Sequence, residues 1–248
     1  VAGYEPAKTT TTEAIQRLVA EWEDAMRNVP PLHAIYPDYT APIIKQRDEG
    51  RVLGFDQMLF AFLDLVCDRL VGDTIALPVT VSRAAEQIVR SRGYDLRWTK
   101  TSPAALMEAA DDPKVGFAAN TEGGIILPGF MPAFDGAAGL LKMLDLLATR
   151  GASLSEVVAA APTVHMVHEE VVTPWEQKGT VMRTLVEQTH GRDVDLIDGV
   201  KVHHDVGWVL VLPDPEEPVT HIWAEGDSHA DARTLAQEYG RRIRQMLR

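Results

Sequence analysis

Apolar residues fall into alternating periods along the chain, and the first is helical. After a threonine run, Thr9 to Thr12, the positions Ile15, Leu18, Val19, Trp22 and Met26 predict an amphipathic helix ended near Pro30 and Pro31. Leu32 to Tyr36 and Ile43 to Lys45 read as short strands about the turn Pro37-Asp-Tyr-Thr-Ala-Pro42, with a second turn at Asp48-Glu-Gly50 before Val52-Leu53. Asp56 to Leu70 is then a strongly apolar helix.

From Thr74 the period switches repeatedly between strand and helix. Thr74 to Val79, Leu96 to Trp98 and Val115 to Ala119 read as strands. Arg83 to Arg92, a segment opened by Ser102-Pro103, and Asp135 to Arg150 read as helices, with Gly93 and Gly151 just past two of the ends. Such alternation predicts a mostly parallel sheet covered by helices.

The pattern changes again near Val164. Val167 to Val172 is a strand, and Thr173-Pro-Trp-Glu176 reads as a capping box with proline at the first helical position. The helix it opens turns Val181, Met182, Leu185 and Val186 inward. Val194 to Ile197 and Val200 to His203 suggest a hairpin across Asp198-Gly199, followed by strands at Trp208 to Leu212 and Val219 to Ala224. Ser228 then caps a terminal helix with an inward stripe of Ala232, Leu235, Ala236, Tyr239, Ile243 and Met246. The expected division is 1–71, a partial α/β domain; 72–163, a whole α/β domain; and 164–248, an α+β domain with an antiparallel sheet.

Composition narrows the functional classes. The 248 residues carry a net charge of -12, which disfavours a nucleic-acid partner or an anionic membrane surface. No apolar run reaches the roughly 18 residues that span a bilayer, and the N-terminus has no signal pattern, so a cytoplasmic location is expected. The single cysteine, Cys67, lies in an apolar run and reads as a buried, inert thiol. Trp175, Trp208 and Trp223 read as core of the last domain. His165 with His168, or His203-His204-Asp205, lacks the convergence a metal needs, so no metal ligand is assigned. Glu169-Glu170 and Glu216-Glu217 read as solvated acids.

Four segments carry a family resemblance: Pro128-Gly-Phe-Met-Pro-Ala-Phe-Asp135, Pro174-Trp-Glu-Gln-Lys-Gly179, Ile197-Asp-Gly-Val-Lys-Val202 and Leu212-Pro-Asp-Pro-Glu-Glu-Pro218. In this order the chain resembles the later domains of the α-D-phosphohexomutases, the phosphomannomutase and phosphoglucomutase superfamily. It is most similar to the subfamily in which these domains are appended to a bacterial mannose-1-phosphate guanylyltransferase. The resemblance implies a remnant of domain II, then a domain III and a domain IV, with a phosphosugar as ligand and an N-terminal nucleotidyltransferase in the same protein. It also implies homo-oligomers through that parent protein, and magnesium in an active member.

The family's chemistry needs four loops, and each departs here from the family pattern. No serine lies in a phosphoserine context, so there is no phosphoryl carrier. The metal loop would fall at Asp38, one carboxylate where three belong, and one does not hold magnesium. The sugar-reading loop would be Asn120, Thr121, Glu122 and Gly123, still polar but altered throughout. In the phosphate loop, the family's arginine, serine, threonine and second arginine would be Leu212, Asp214, Glu216 and His221, with Glu217 beside them. Carboxylates there repel a dianion where guanidinium forks would hold it. The expected function is therefore a catalytically silent phosphohexomutase-like region, structural or regulatory and without a cofactor of its own. The alternatives are a fragment of an active mutase interconverting hexose 1- and 6-phosphates, and an assembly module.

Overall fold

The computed structural model describes residues 53–247. The helix and strands expected between Ile15 and Val52, and the candidate metal-loop residue Asp38, lie outside the described residues. Among the described residues no helix is long and apolar enough to cross a membrane.

Two sheets organise the chain. The first has strand order β2-β1-β3-β4-β5. Its strands β1 (Thr74–Pro78), β2 (Asp95–Thr99) and β3 (Val115–Ala119) are parallel, and β4 (Ile125–Leu127) and β5 (Met131–Phe134) continue the sheet antiparallel. β1 is buried throughout, the signature of a strand covered on both faces. Its Ile75 and Leu77 point into one core with helices α1 (Phe55–Val66), α2 (Arg83–Ser91), α4 (Gly136–Arg150) and α5 (Leu154–Ala159). Ala76 points the other way, toward α3 (Pro103–Ala110). α1 contributes Phe62, stacked on Phe117 of β3 at 5.1 Å, although it precedes the boundary expected at residue 72.

The β4-β5 hairpin and α5 add to the expected elements. Proline and glycine between Leu127 and Met131 mask two short strands, while Ser153 and Glu156 form an unforeseen capping box that opens α5.

The second sheet is antiparallel with order β6-β10-β9-β8-β7. Its strands are β6 (His165–Val172), β7 (Val194–Asp195), β8 (Val200–His204), β9 (Gly207–Pro213) and β10 (Val219–Gly226). Helices α6 (Trp175–Gln188) and α7 (His229–Met246) share the core on one face, where Val181, Leu185, Leu235, Tyr239 and Ile243 meet Val171, Val209, Val211 and Ile222.

Four local expectations need correction. Pro174 is the N-cap of α6 and makes no side-chain cap; Thr173 is buried, its hydroxyl donating to the Val171 carbonyl at 2.9 Å. Val186 faces outward, because the helical stripe passes through Val181 and Leu185. The β7-β8 connection is wider than a two-residue turn, pairing Asp195 with Lys201 across five intervening residues. Trp175, expected in the core, is exposed beneath the Lys178 ammonium, 3.7 Å from its ring centre.

The other face of the second sheet meets the first sheet through buried polar groups. Glu225 of β10, 3% exposed, accepts from Trp208 Nε1 at 2.7 Å, Ser82 Oγ at 2.9 Å and the Arg83 amide at 3.0 Å. Ser82 caps α2, so the carboxylate sits at that helix's N-terminus. Lys201 of β8 donates to the Val79 carbonyl at 2.9 Å, with the Trp208 ring at 3.9 Å and Trp98 at 5.0 Å. Burial pulls its ammonium down to about 8 against the pull of Asp195, Glu225 and Glu86. Asp198 leaves its own turn to accept from the Thr101 amide and hydroxyl, at 2.8 and 2.7 Å.

Removing Glu225 strands three donors at once. Glu225→Ala is expected to cost about 3–5 kcal/mol, read as a fall in the urea midpoint, because buried donors lose a charged acceptor with no water to replace it.

Candidate functional site

The face of the second sheet that carries Glu225's neighbour Trp223 continues along the β6 and β10 strands. Antiparallel register sets His221 opposite Glu170 and Trp223 opposite His168. Residues two apart on a strand share a face, so these four side chains form one cross-strand square. Trp223 stacks on His168 with ring centres 4.7 Å apart and planes within 11°. The β9-β10 loop, Pro213 to Pro218, closes over the same end.

That loop is organised by one side chain. Asp214 Oδ1 accepts from the Glu216 amide at 2.7 Å and the Glu217 amide at 2.6 Å, an Asx-type turn held by a charge. Its Oδ2 pairs with His221 Nε2 at 3.0 Å. The His221 bond first, then the Glu216 amide, hold the Asp214 carboxyl well down, at about 2. From below, Lys178 of α6 donates to the Asp214 carbonyl at 2.5 Å and also to the Glu217 carbonyl. The loop thus keeps inward-facing N–H groups and fills them with its own anion. Asp214 itself therefore lies in a site that favours negative charge. Glu216 and Glu217 turn their side chains to solvent, as the sequence suggested. Leu212, on the β9 end of the loop, is half-buried against the apolar cluster around Trp208.

The candidate sugar loop sits at the C-terminal end of β3, the edge where open α/β sheets usually present ligand sites. Asn120 Oδ1 accepts from the Glu122 amide at 3.0 Å and the Gly124 amide at 2.7 Å, so its acceptor is spent on the turn. Thr121 is half-buried, while Glu122 and Gly123 are exposed. Gly123 has φ +87°, and a Cβ there would sit 3.2 Å from the Phe55 ring. Grooves of about 380 and 500 Å³ elsewhere include neither candidate loop.

Sequence reasoning brought His221 and Asp214 to one loop and missed three neighbours. His168 and Glu170 join them only through strand register, and Lys178 only through helix packing. His203 pairs with Asp195 at 2.8 Å and His204 with the Tyr239 hydroxyl at 3.0 Å, so these neighbours do separate to two faces. Cys67 is buried, and burial pushes its thiol up to about 11, as an inert cysteine requires.

Residues 55–165 match the family described as phosphoglucomutase/phosphomannomutase, alpha/beta/alpha domain III. Over these residues the chain is similar to a phosphohexomutase domain III. A protein named probable phosphoglucosamine mutase from Methanopyrus kandleri is 33% identical over 199 residues, 77% of this chain and 43% of that protein. A phosphoglucomutase/phosphomannomutase from Thermococcus kodakarensis is 25% identical over 187 residues, 75% of this chain and 41% of its own length. Both likenesses extend past the span of domain III. A crystal structure of a phosphoglucomutase/phosphomannomutase family protein from Burkholderia thailandensis superposes with a TM-score of 0.68 at 21% identity, covering 80% of this chain and 43% of that one. At that identity the likeness is one of fold. The chain spans less than half the length of each of these three proteins.

The Asp214 turn carries a pH signature. Its folded carboxyl lies below the ordinary 3.8, so the stability it contributes is present above that value and is lost as pH falls toward about 2. The gap in urea midpoint between the native protein and Asp214→Asn should be open at about pH 6 and close on acidification. A gap independent of pH would show that the charge of Asp214 plays no part.

Proposed function

We propose that this chain is the C-terminal part of a phosphohexomutase-type protein in sugar-nucleotide biosynthesis, and that its last domain is a structural or regulatory module without phosphoryl-transfer activity. The observation that carries this reading is the Asp214 carboxylate, which takes two loop amides and His221, the donors an incoming phosphate would need. Leu212 supplies no charge where the family has arginine, and Lys178 spends its ammonium on two loop carbonyls. Magnesium fits poorly: the sequence offers Asp38 alone where several carboxylates must converge. The subfamily resemblance adds the finer proposal of a parent nucleotidyltransferase of the mannose-1-phosphate guanylyltransferase type, in which these domains brace the catalytic part and its oligomer.

A second reading, a fragment of an active mutase, draws support from the likeness to phosphoglucosamine mutases and from the accessible Thr121 and Glu122. One experiment separates the two. The purified chain is incubated with glucosamine 1-phosphate or mannose 1-phosphate, glucose 1,6-bisphosphate and magnesium. No 6-phosphate should form, and calorimetry with the same phosphosugars should show no heat of binding. Turnover, or binding abolished by Glu122→Ala, would instead establish the mutase reading.

A further inference from the structure

His168, Glu170 and His221 bring three metal-binding donor atoms within 4.8 Å of one another on the face closed by the β9-β10 loop. His168 Nε2 lies 3.1 Å from His221 Nδ1, and His221 Nδ1 lies 3.5 Å from Glu170 Oε1. A tetrahedral zinc ion with bonds of about 2.0–2.1 Å sets neighbouring donors about 3.3 Å apart. We propose that these three residues bind a zinc-class transition-metal ion, independently of any phosphosugar chemistry.

The surrounding groups suit the assignment. Strand register fixes the backbones of all three residues, since His221 faces Glu170 directly and His168 is two residues from Glu170. His221 Nε2 is engaged by Asp214 Oδ2 at 3.0 Å, which places the ring proton on Nε2 and leaves the Nδ1 lone pair toward the other two ligands. This is the carboxylate-histidine support that metal-bound imidazoles commonly have. Trp223, stacked on His168, limits the swing of that ring. Two imidazoles and one carboxylate select zinc-like ions over magnesium, whose preference is for oxygen. His168 and Glu170 are exposed, so a fourth position opens to solvent and can take water or an external ligand.

Without metal, the same 3.1 Å contact would be a hydrogen bond between one protonated and one unprotonated ring nitrogen. The two cases differ in a direct measurement. Metal-stripped full-length chain is titrated with zinc chloride, and separately with magnesium chloride, by calorimetry. One zinc ion should bind with about micromolar affinity or better, and magnesium should give no saturable heat. His168→Ala and Glu170→Gln should each weaken zinc binding by about 100-fold, and Asp214→Asn by about 10- to 100-fold through loss of ring orientation. His229→Ala, on the exposed start of α7, should bind as the native protein does. Cobalt should give the visible absorption of a four-coordinate ion, and lose it in His168→Ala. His168 and Glu170 are surface side chains, so unchanged far-UV circular dichroism should accompany each loss. Absence of zinc binding, or equal binding by the native chain, His168→Ala and Glu170→Gln, would overturn the proposal.

Discussion

A buried carboxylate ties the second sheet, and with it the β9-β10 loop, to the first sheet. Glu225 is desolvated almost completely and is met by three donors from two places: an indole on β9, and a serine hydroxyl and the first amide at the start of α2. Leaving any of these unpaired is expensive in a low-dielectric site, so the group resists small rotations of one sheet against the other. Lys201, wedged between two indoles and a carbonyl, and Asp198, holding Thr101, act at further points along the same contact. The free end of the sheet, where His221 and the β9-β10 loop lie, takes its place from that anchorage.

Much of the architecture was legible because local and tertiary demands agree. Ser102 and Ser228 cap the helices the sequence assigned to them, Ser82 and Asp135 add caps of the same kind, and Gly151 ends α4 in the left-handed conformation its position suggested. The buried run Thr74 to Pro78 could only be a strand covered on both faces. Where local signals lost, a specific partner prevailed. Thr173 fails as a cap because its amide is taken by the Pro218 carbonyl at 2.7 Å and its hydroxyl by Val171. Trp175 fails as core because α6 turns it outward, where Lys178 covers it.

The candidate site was legible by halves. Leu212, Asp214, Glu216 and His221 could be picked out because they are close in sequence and stand in a loop of familiar outline. Their interaction could not, since a carboxylate read from sequence is a charge without a direction. His168 and His221 are 53 residues apart, and nothing short of strand register makes them neighbours. The rule that adjacent residues on a strand face opposite ways excluded the wrong pairs of histidines, yet the same rule applied across two strands assembles His168, Glu170 and His221.

The Asp214 turn has a further consequence for what this loop can meet. Its anion is tethered by the chain itself, so it competes with any dissolved anion as an intramolecular ligand whose effective concentration, on the order of millimolar or higher, does not fall on dilution. Phosphate esters in solution would have to displace a partner that cannot diffuse away. Occupancy of the loop is therefore insensitive to the supply of small anions, and a change of state there must come from a proton, or from a cation drawn to the exposed side of His221.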